Sequence, residues 1–158
     1  MNRMKEKAEE NMENQVYDSL KIENQICFPL YACSREIIKH YKPFLDELDL
    51  TYTQYIAMMV LWQYRSVTAK QLGKYLYLDS GTLTPMLKKM EAKGLLTLNR
   101  DPRDERNLVV TLTPAGEALR ERAVSVPERI AGCVKLEPEE AMALYAILYK
   151  ILGQSRDE

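Results

Sequence analysis

The chain has 158 residues, 46% of them hydrophobic and 28% charged, with 3 cysteines and a formal net charge of −1. This length fits one domain with helical extensions, no apolar run approaches the roughly 20 residues of a membrane helix, and the charged start has no signal-peptide core. We therefore expect a cytoplasmic protein that makes no membrane contact, with its cysteines kept as thiols by a reducing compartment.

The charge is unevenly distributed along the chain. Between Arg65 and Arg106, nine basic residues stand against five acidic ones, although the chain as a whole is slightly acidic. A locally basic segment favours a polyanionic partner, and an ordinary solvated surface explains the same charges about equally well. Charge alone leaves both interpretations open.

The N-terminal part predicts a charged arm followed by a long helix. Residues 1–17 are expected to be disordered. Apolar residues then recur at helical spacing from about Asp18 to Leu45, which predicts a helix with a kink at Pro29 and an end at Pro43 and the segment after it. We assign residues 18–50 to an N-terminal helical region that serves dimerisation.

A second helix is predicted over the segment that starts at Thr51. Thr51 or Thr53 supplies the cap, and four larger side chains fall near one face at helical spacing. These side chains are Tyr55, Met58, Met59 and Trp62.

Two short helices joined by a turn come next. Thr68 caps the first of them, whose inward side chains are Leu72, Tyr75 and Leu76. Because proline is tolerated only in the first turn of a helix, Pro85 places the start of the second near Ser80 to Thr82, and Gly94 ends it. Its apolar residues follow the i, i+3, i+4, i+7 pattern of a buried stripe: Leu83, Met86, Leu87 and Met90.

After Gly94 the apolar period changes from 3.6 to 2 residues, which predicts strands. The segments "LLTLNR" and "NLVVTLT" flank the charged tip "DPRDER" and form a β-hairpin. Thr113 and Pro114 begin a helix that reaches towards Cys133 past a break at Pro127, and a last amphipathic helix follows. We assign 51–112 to a DNA-binding region and 113–158 to C-terminal dimerisation helices.

The predicted fold is therefore mainly α with a small β-wing, a winged helix-turn-helix between N- and C-terminal dimerisation helices. One α-helix fits the major groove of B-DNA, and arginines suit the narrower minor groove. The predicted DNA contacts are Ser80, Thr82, Thr84, Pro85, Lys88 and Lys89 on the helix, with Arg100, Arg103 and Arg106 on the hairpin. An ordinary amphipathic helix and a solvated hairpin are the alternative, and the order of the elements favours DNA binding.

The sequence resembles the MarR family of winged-helix transcription regulators, and within it the organic hydroperoxide resistance regulators. The segments that carry the resemblance are "ENQICFPLYACSREIIKHYKPFLDELDLTYTQY", "YLDSGTLTPMLKKMEAKGLL" and "RDPRDERNLVVTLTPAG", within about residues 21–134. The resemblance implies a homodimer that binds an inverted-repeat operator and is not an enzyme. It also implies an organic hydroperoxide as effector.

The resemblance also assigns roles to individual residues. It implies that Cys27 is the redox-sensing thiol and that Tyr31, Tyr41 and Tyr52 stabilise its thiolate. Asp104 matches a residue that holds the wing in shape. By spacing alone, Cys133 matches the second cysteine of the two-cysteine branch, which forms an intersubunit disulfide with the first.

The residues themselves leave several roles open for the cysteines. A buried apolar thiol is the commonest role, and Cys33 is interpreted as packing. No CxxC motif occurs and the single histidine, His40, lacks a ligand spacing, so we expect neither a metal nor another cofactor. On one helix, Cys27 and Cys33 would lie about 9 Å apart along the axis, which prevents them from pairing. With a cap at Asp18 or Ser19, Cys27 would lie two turns inside the helix, too far for the helix dipole to act on it.

We expect a repressor in which peroxide oxidises Cys27 to a sulfenic acid, a disulfide with Cys133 follows, and the operator is released. One alternative is a MarR-type repressor that a non-covalent phenolic or lipophilic ligand releases. Another is a small thiol peroxidase, which the absence of a visible general acid disfavours. A Cys27→Ser variant that still loses DNA affinity on peroxide treatment would favour the first alternative, and many turnovers per protein with a reductant would favour the second.

Overall fold

The computed structural model describes residues 17–102 and 104–154, with all side chains in these ranges except those of residues 105 and 154. The chain divides into two compact units, one up to His40 and one from Tyr41 onward. The arm expected at 1–17 lies outside the described residues except for Tyr17. Within the described ranges, no helix has the length and apolar character that crossing a membrane requires.

The described residues form α-helices and a small antiparallel sheet, which confirms the predicted fold class. The helices are α1 (Cys27–Asp46), α2 (Tyr52–Tyr64), α3 (Ala69–Leu76), α4 (Ser80–Ala92), α5 (Pro114–Ala123), α6 (Val126–Ala131) and α7 (Pro138–Gln154). The strands are β1 (Ser66–Thr68), β2 (Leu96–Asp101) and β3 (Asp104–Leu112).

Helix α1 begins nine residues later than the sequence predicts. A short 3-10 turn, Ile22–Asn24, precedes it, and the Asn24 side-chain amide donates to the Asp18 carbonyl at 2.8 Å. Such bonds from side chain to backbone compete with the helical ladder, so the regular helix starts only at Cys27. Pro29 is then its third residue, where proline removes no ladder bond, and the expected kink has no cause.

Helix α1 ends at Asp46, within the segment that was predicted to end it, and Pro43 lies inside the helix. The proline removes the donor to the Lys39 carbonyl. Because Lys39 and Pro43 are both exposed, water can solvate that carbonyl.

Helix α2 is held at its start by a capping box between Thr51 and Gln54. The Gln54 amide donates to the Thr51 hydroxyl at 3.3 Å, and the Thr51 amide donates to the Gln54 side chain at 3.0 Å. Three of the four side chains predicted for one face are buried, but Met59 is 46% exposed. The Trp62 indole N–H donates to the Gly116 carbonyl at 2.9 Å, which ties α2 to α5.

The three strands pair in the order β1-β3-β2, all antiparallel. Strand β1 was not predicted, because three residues are too short to show a period of 2. Val110 in β3 lies opposite Val67 on one side and Leu98 on the other. It is fully buried, as are Leu72 and Leu87 from the helices beneath the sheet.

The start of α5 packs closely against the chain before β2. Thr113 caps α5 through its hydroxyl, and Pro114 is the first helical residue, as predicted. A Cβ atom on Gly116 would lie 2.1 Å from the Leu95 carbonyl oxygen and 2.7 Å from a methyl group of Leu112. Glycine is therefore required at this contact.

The C-terminal helices leave much apolar surface exposed. The predicted break lies before Pro127, because α5 ends at Ala123 and the next helix begins at Val126. Pro127 is the second residue of α6, and Cys133 lies beyond that helix. Along α7 the exposed large apolar side chains are Met142, Leu144, Tyr145, Ile147, Tyr149 and Ile151. Leu148 and Leu152, on the predicted apolar face, are half-buried.

Candidate DNA-reading surface and thiol sites

Helices α3 and α4 form the helix-turn-helix, and a tight turn sets their angle. Tyr77 adopts the left-handed region with φ 54°, and the Leu78 amide donates to the Gly73 carbonyl at 3.0 Å. A Cβ atom on Gly73 would lie 2.8 Å from the Leu78 carbonyl oxygen, so the turn closes directly over this glycine. Tyr75, which was predicted to face inward, is 47% exposed and stacks on the Tyr64 ring at 5.2 Å.

Helix α4 begins at Ser80, as predicted. Asp79 caps it by accepting bonds from the Thr82 amide and hydroxyl, both at 2.9 Å, and these bonds hold the pKa of the Asp79 carboxyl below its ordinary value. The four residues of the predicted stripe are buried. Pro85 lies in the second turn rather than the first, where it leaves only the exposed Gly81 carbonyl without its ladder donor.

The predicted contact residues of α4 share one property, which is exposure. They are Ser80, Thr82, Thr84, Pro85, Lys88 and Lys89. Beside them lies an open cleft of about 460 Å³ between α3 and α4, whose lining includes Lys70 and Lys74. Both lysines belong to the basic segment between Arg65 and Arg106, and neither was predicted to contact DNA.

Glu91 connects α4 to the wing, a role that was not predicted from the sequence. One Glu91 carboxylate oxygen accepts the Leu98 backbone N–H at 2.8 Å, on the outer strand β2. The turn between them is closed by Gly94 at φ 73°, with the Leu95 amide donating to the Met90 carbonyl at 3.1 Å. An acidic side chain near a helix C-terminus opposes the helix dipole, and that misplaced charge was the available signal.

The wing turns between Asp101 and Asp104, which lie opposite each other. Asp104 accepts bonds from the Arg106 amide and Nε, both at 3.1 Å, and from the Asn107 side chain at 3.3 Å. Arg100 and Arg106 are exposed on the two strands. Arg103, the third predicted wing contact, lies outside the described residues.

Cys27 is the first residue of α1, and its side chain is exposed. The interpretation that placed Cys27 two turns inside a helix is therefore wrong. At the first residue of α1, Cys27 lies where the helix N-terminus carries partial positive charge. Tyr31 follows one turn later, where the Arg35 guanidinium donates to its hydroxyl at 2.6 Å. Cys33, which was interpreted as packing, is exposed on the same helix.

Tyr41, Tyr52 and Tyr55 form an aromatic cluster in the second unit. The Tyr41 ring centroid lies 4.9 Å from that of Tyr52 and 6.0 Å from that of Tyr55. Burial raises the pKa of each of the three hydroxyls above its ordinary value. They therefore remain protonated hydrogen-bond donors at neutral pH. Tyr55 was predicted only as a core residue.

Cys133 is an exposed thiol in the loop after α6. Its Sγ donates to the Arg129 carbonyl at 3.5 Å. The Arg129 guanidinium lies 3.9 Å from the centre of the Phe44 ring and pairs with Glu47 at 3.4 Å. Among the described residues, no group of three or more histidine, cysteine or acidic side chains could hold a metal ion.

Comparison with known proteins agrees with this architecture. The family described as transcriptional regulator SarA/Rot matches residues 39–122. The organic hydroperoxide resistance transcriptional regulator of Bacillus subtilis is 50% identical over 141 residues, which are 89% of this chain and 95% of that protein.

Two solved structures of AbfR, a protein of Staphylococcus epidermidis, are also similar. Reduced AbfR bound to DNA has a TM-score of 0.71, and disulfide-formed AbfR has a TM-score of 0.60. Each is 33% identical and covers 89% of this chain and 98% of its own. The chain therefore belongs to the MarR family of winged-helix transcription regulators, together with the organic hydroperoxide resistance regulators, and is not an enzyme.

Proposed function

We propose that the protein is a DNA-binding repressor that senses organic hydroperoxides through Cys27 and then releases its operator. The observation that carries the proposal is the position of Cys27. It is an exposed thiol at the first residue of α1, in a chain half identical to an organic hydroperoxide resistance regulator.

The reduced protein binds DNA as a homodimer, one subunit on each half of an inverted repeat. The exposed apolar side chains of α7 supply a surface that a second copy can bury. The exposed face of α4 enters the major groove, where Thr84 reaches base edges and Lys88 neutralises a phosphate. The wing arginines Arg100, Arg103 and Arg106 approach the adjacent minor groove, and Asp104 fixes the Arg106 side chain for this contact.

The chemistry begins with the Cys27 thiolate. Its sulfur attacks the terminal oxygen of the hydroperoxide, the O–O bond breaks, and the departing alkoxide takes a proton to become an alcohol, which leaves a sulfenic acid on Cys27. The Cys133 thiolate of the other subunit then attacks the Cys27 sulfur, and hydroxide departs and is protonated to water. Tyr41 and Tyr52 are protonated donors that stabilise the thiolate before oxidation.

Release requires that the disulfide favour an arrangement of the subunits that binds DNA less well. A shift from mostly bound to mostly free requires a difference of several kcal/mol between the two arrangements. A thiol reductant would restore binding.

The proposal is tested by DNA binding under oxidation. A duplex selected from a random library by the reduced protein is bound by wild type, Cys27→Ser, Cys33→Ser and Cys133→Ser, with and without cumene hydroperoxide. We expect wild type and Cys33→Ser to release the duplex, and Cys27→Ser to stay bound. If Cys27→Ser releases the duplex as wild type does, the sensor role of Cys27 is wrong and a non-covalent ligand becomes the better explanation.

The disulfide has its own test. Non-reducing gel electrophoresis after treatment with cumene hydroperoxide should give a covalent dimer of wild type and of Cys33→Ser, and none of Cys133→Ser. A dimer that persists in Cys133→Ser would exclude Cys133 as the second thiol and leave Cys33 or a second copy's Cys27 in that role. Cys33→Ser is the matched control, because it removes an exposed thiol from the same helix as Cys27.

A further inference from the structure

Arg35 is attached to Tyr31 by two contacts. Its Nη1 donates to the Tyr31 hydroxyl oxygen at 2.6 Å, and its guanidinium carbon lies 5.4 Å from the centre of the Tyr31 ring. Arginine can only donate, so the Tyr31 oxygen is the acceptor and its own hydrogen is available for a different acceptor. Tyr31 is 58% exposed, so Arg35 rather than the core holds its hydroxyl in place.

Cys27, Tyr31 and Arg35 are spaced by four residues along α1 and share one face of the helix. Long helical side chains lean towards the N-terminus, over the preceding turn. Arg35 reaches back to the Tyr31 hydroxyl in this way, and the same lean would bring the Tyr31 hydroxyl over the turn that carries Cys27. The three residues thus follow one face of α1 back to its first residue.

We infer that Arg35 is a positioning residue that orients the Tyr31 O–H towards the Cys27 sulfur and strengthens the bond it donates to the thiolate. This inference rests on the proposed function of Cys27. Arg35 makes no contact with the peroxide and acts only through Tyr31.

The backbone positions of Arg35 and Cys27 are about 12 Å apart along the helix axis, and the Arg35 guanidinium reaches back over part of this span to the Tyr31 hydroxyl. When that hydroxyl donates to the Cys27 sulfur, the guanidinium lies within the Debye length of about 8 Å, so a variant that lacks the Tyr31 hydroxyl, and not distance, separates the relay from a direct effect of the charge. A chain of hydrogen bonds is strengthened by about 10–30% per bond through polarisation. Applied to a bond to an ionised sulfur, that gain corresponds to about a 1.3- to 5-fold change in rate.

The experiment uses full-length protein carrying Cys33→Ser and Cys133→Ser, so that Cys27 is the only thiol. Loss of the free thiol is followed after addition of cumene hydroperoxide at neutral pH, and the ultraviolet absorbance of the thiolate is recorded beforehand. We expect Arg35→Ala and Arg35→Met to react about 1.3- to 5-fold more slowly and to show less thiolate. Tyr31→Phe should react about ten-fold more slowly, because it removes the whole bond.

The double variant distinguishes the relay from other roles. Because Arg35 acts through Tyr31, adding Arg35→Ala to Tyr31→Phe should slow the reaction no further. Lys39→Ala is the matched control, since it removes one positive charge from the same helix without touching Tyr31, and it should react like the parent. Lys39 instead pairs with Glu36.

Three results would overturn the inference. They are an unchanged rate in both Arg35 variants, an unchanged rate in Tyr31→Phe, and additive losses in the double variant. A variant that only destabilises α1 would melt at a lower temperature and keep its reaction rate, which also counts against the relay. If Cys27 in the parent reacts no faster than free cysteine, the proposed sensor role of Cys27 is wrong, and the inference about Arg35 is then wrong as well.

Discussion

Replacing Gly116 with alanine should destabilise the second unit strongly, and the structure allows the effect to be estimated. The added Cβ would lie 2.1 Å from the Leu95 carbonyl oxygen, which is backbone and cannot rotate away. Relief requires α5 to shift, and overpacking of this kind costs about 1–3 kcal/mol. The shift also strains the 2.9 Å bond from the Trp62 indole to the Gly116 carbonyl, which contributes about 1 kcal/mol more.

A total of about 2–4 kcal/mol corresponds to a melting temperature lower by roughly 5–15 °C for a chain of this size. Thermal unfolding followed by circular dichroism, at one fixed protein concentration, measures this shift. Gly132→Ala is the matched control. At Gly132 φ is −68° and the nearest atom to an added Cβ is 3.7 Å away, so alanine fits there. If the two variants melt together, the close contact at Gly116 does not determine stability and the reasoning is refuted.

Three shorter predictions concern the DNA-reading surface. Lys88→Ala should weaken binding to the selected duplex and lower the slope of log affinity against log salt by about one, because one phosphate is no longer neutralised, whereas Lys42→Ala, on α1, should change neither. Asp104→Ala removes the bonds to Arg106 and Asn107, so we expect weaker protection of the minor groove in a footprint and a change in unfolding free energy of less than about 0.5 kcal/mol. Asp79 has a lowered pKa in the folded protein, so its stabilisation is complete above its unfolded value of 3.8 and is lost as the pH falls through the folded value. In urea unfolding the difference between wild type and Asp79→Asn should therefore shrink below about pH 4, and a constant difference would show that the cap does not titrate.

Helix α4 was predictable because its signals are local. Its buried stripe repeats with the helical period, and the turn glycine Gly94 follows its last turn as a C-terminal stop. The same kind of local signal misled the prediction at α1. Ile22 and Ile26 continue the apolar period upstream, but the Asn24 side chain bonds back to the Asp18 carbonyl and the helix begins later.

The candidate sites depend on contacts between residues distant in sequence. The bond between Glu91 and the Leu98 amide joins a helix to a strand, and no periodicity records it. Tyr55 matched the pattern of a core side chain, although it lies 6.0 Å from Tyr41 in a cluster of phenols. The exposure of Cys33 also follows from packing rather than from its apolar neighbours in sequence.

The Glu91 carboxylate also affects how copies of the protein behave at high concentration. Strand β2 lies at the edge of its sheet, and free amides on an edge strand are a template for pairing with a second chain. Glu91 already occupies the Leu98 amide and places a negative charge beside this edge. A strand from another copy would have to displace that carboxylate before it could pair. The side chain that joins α4 to the wing therefore also protects the protein against aggregation through its sheet.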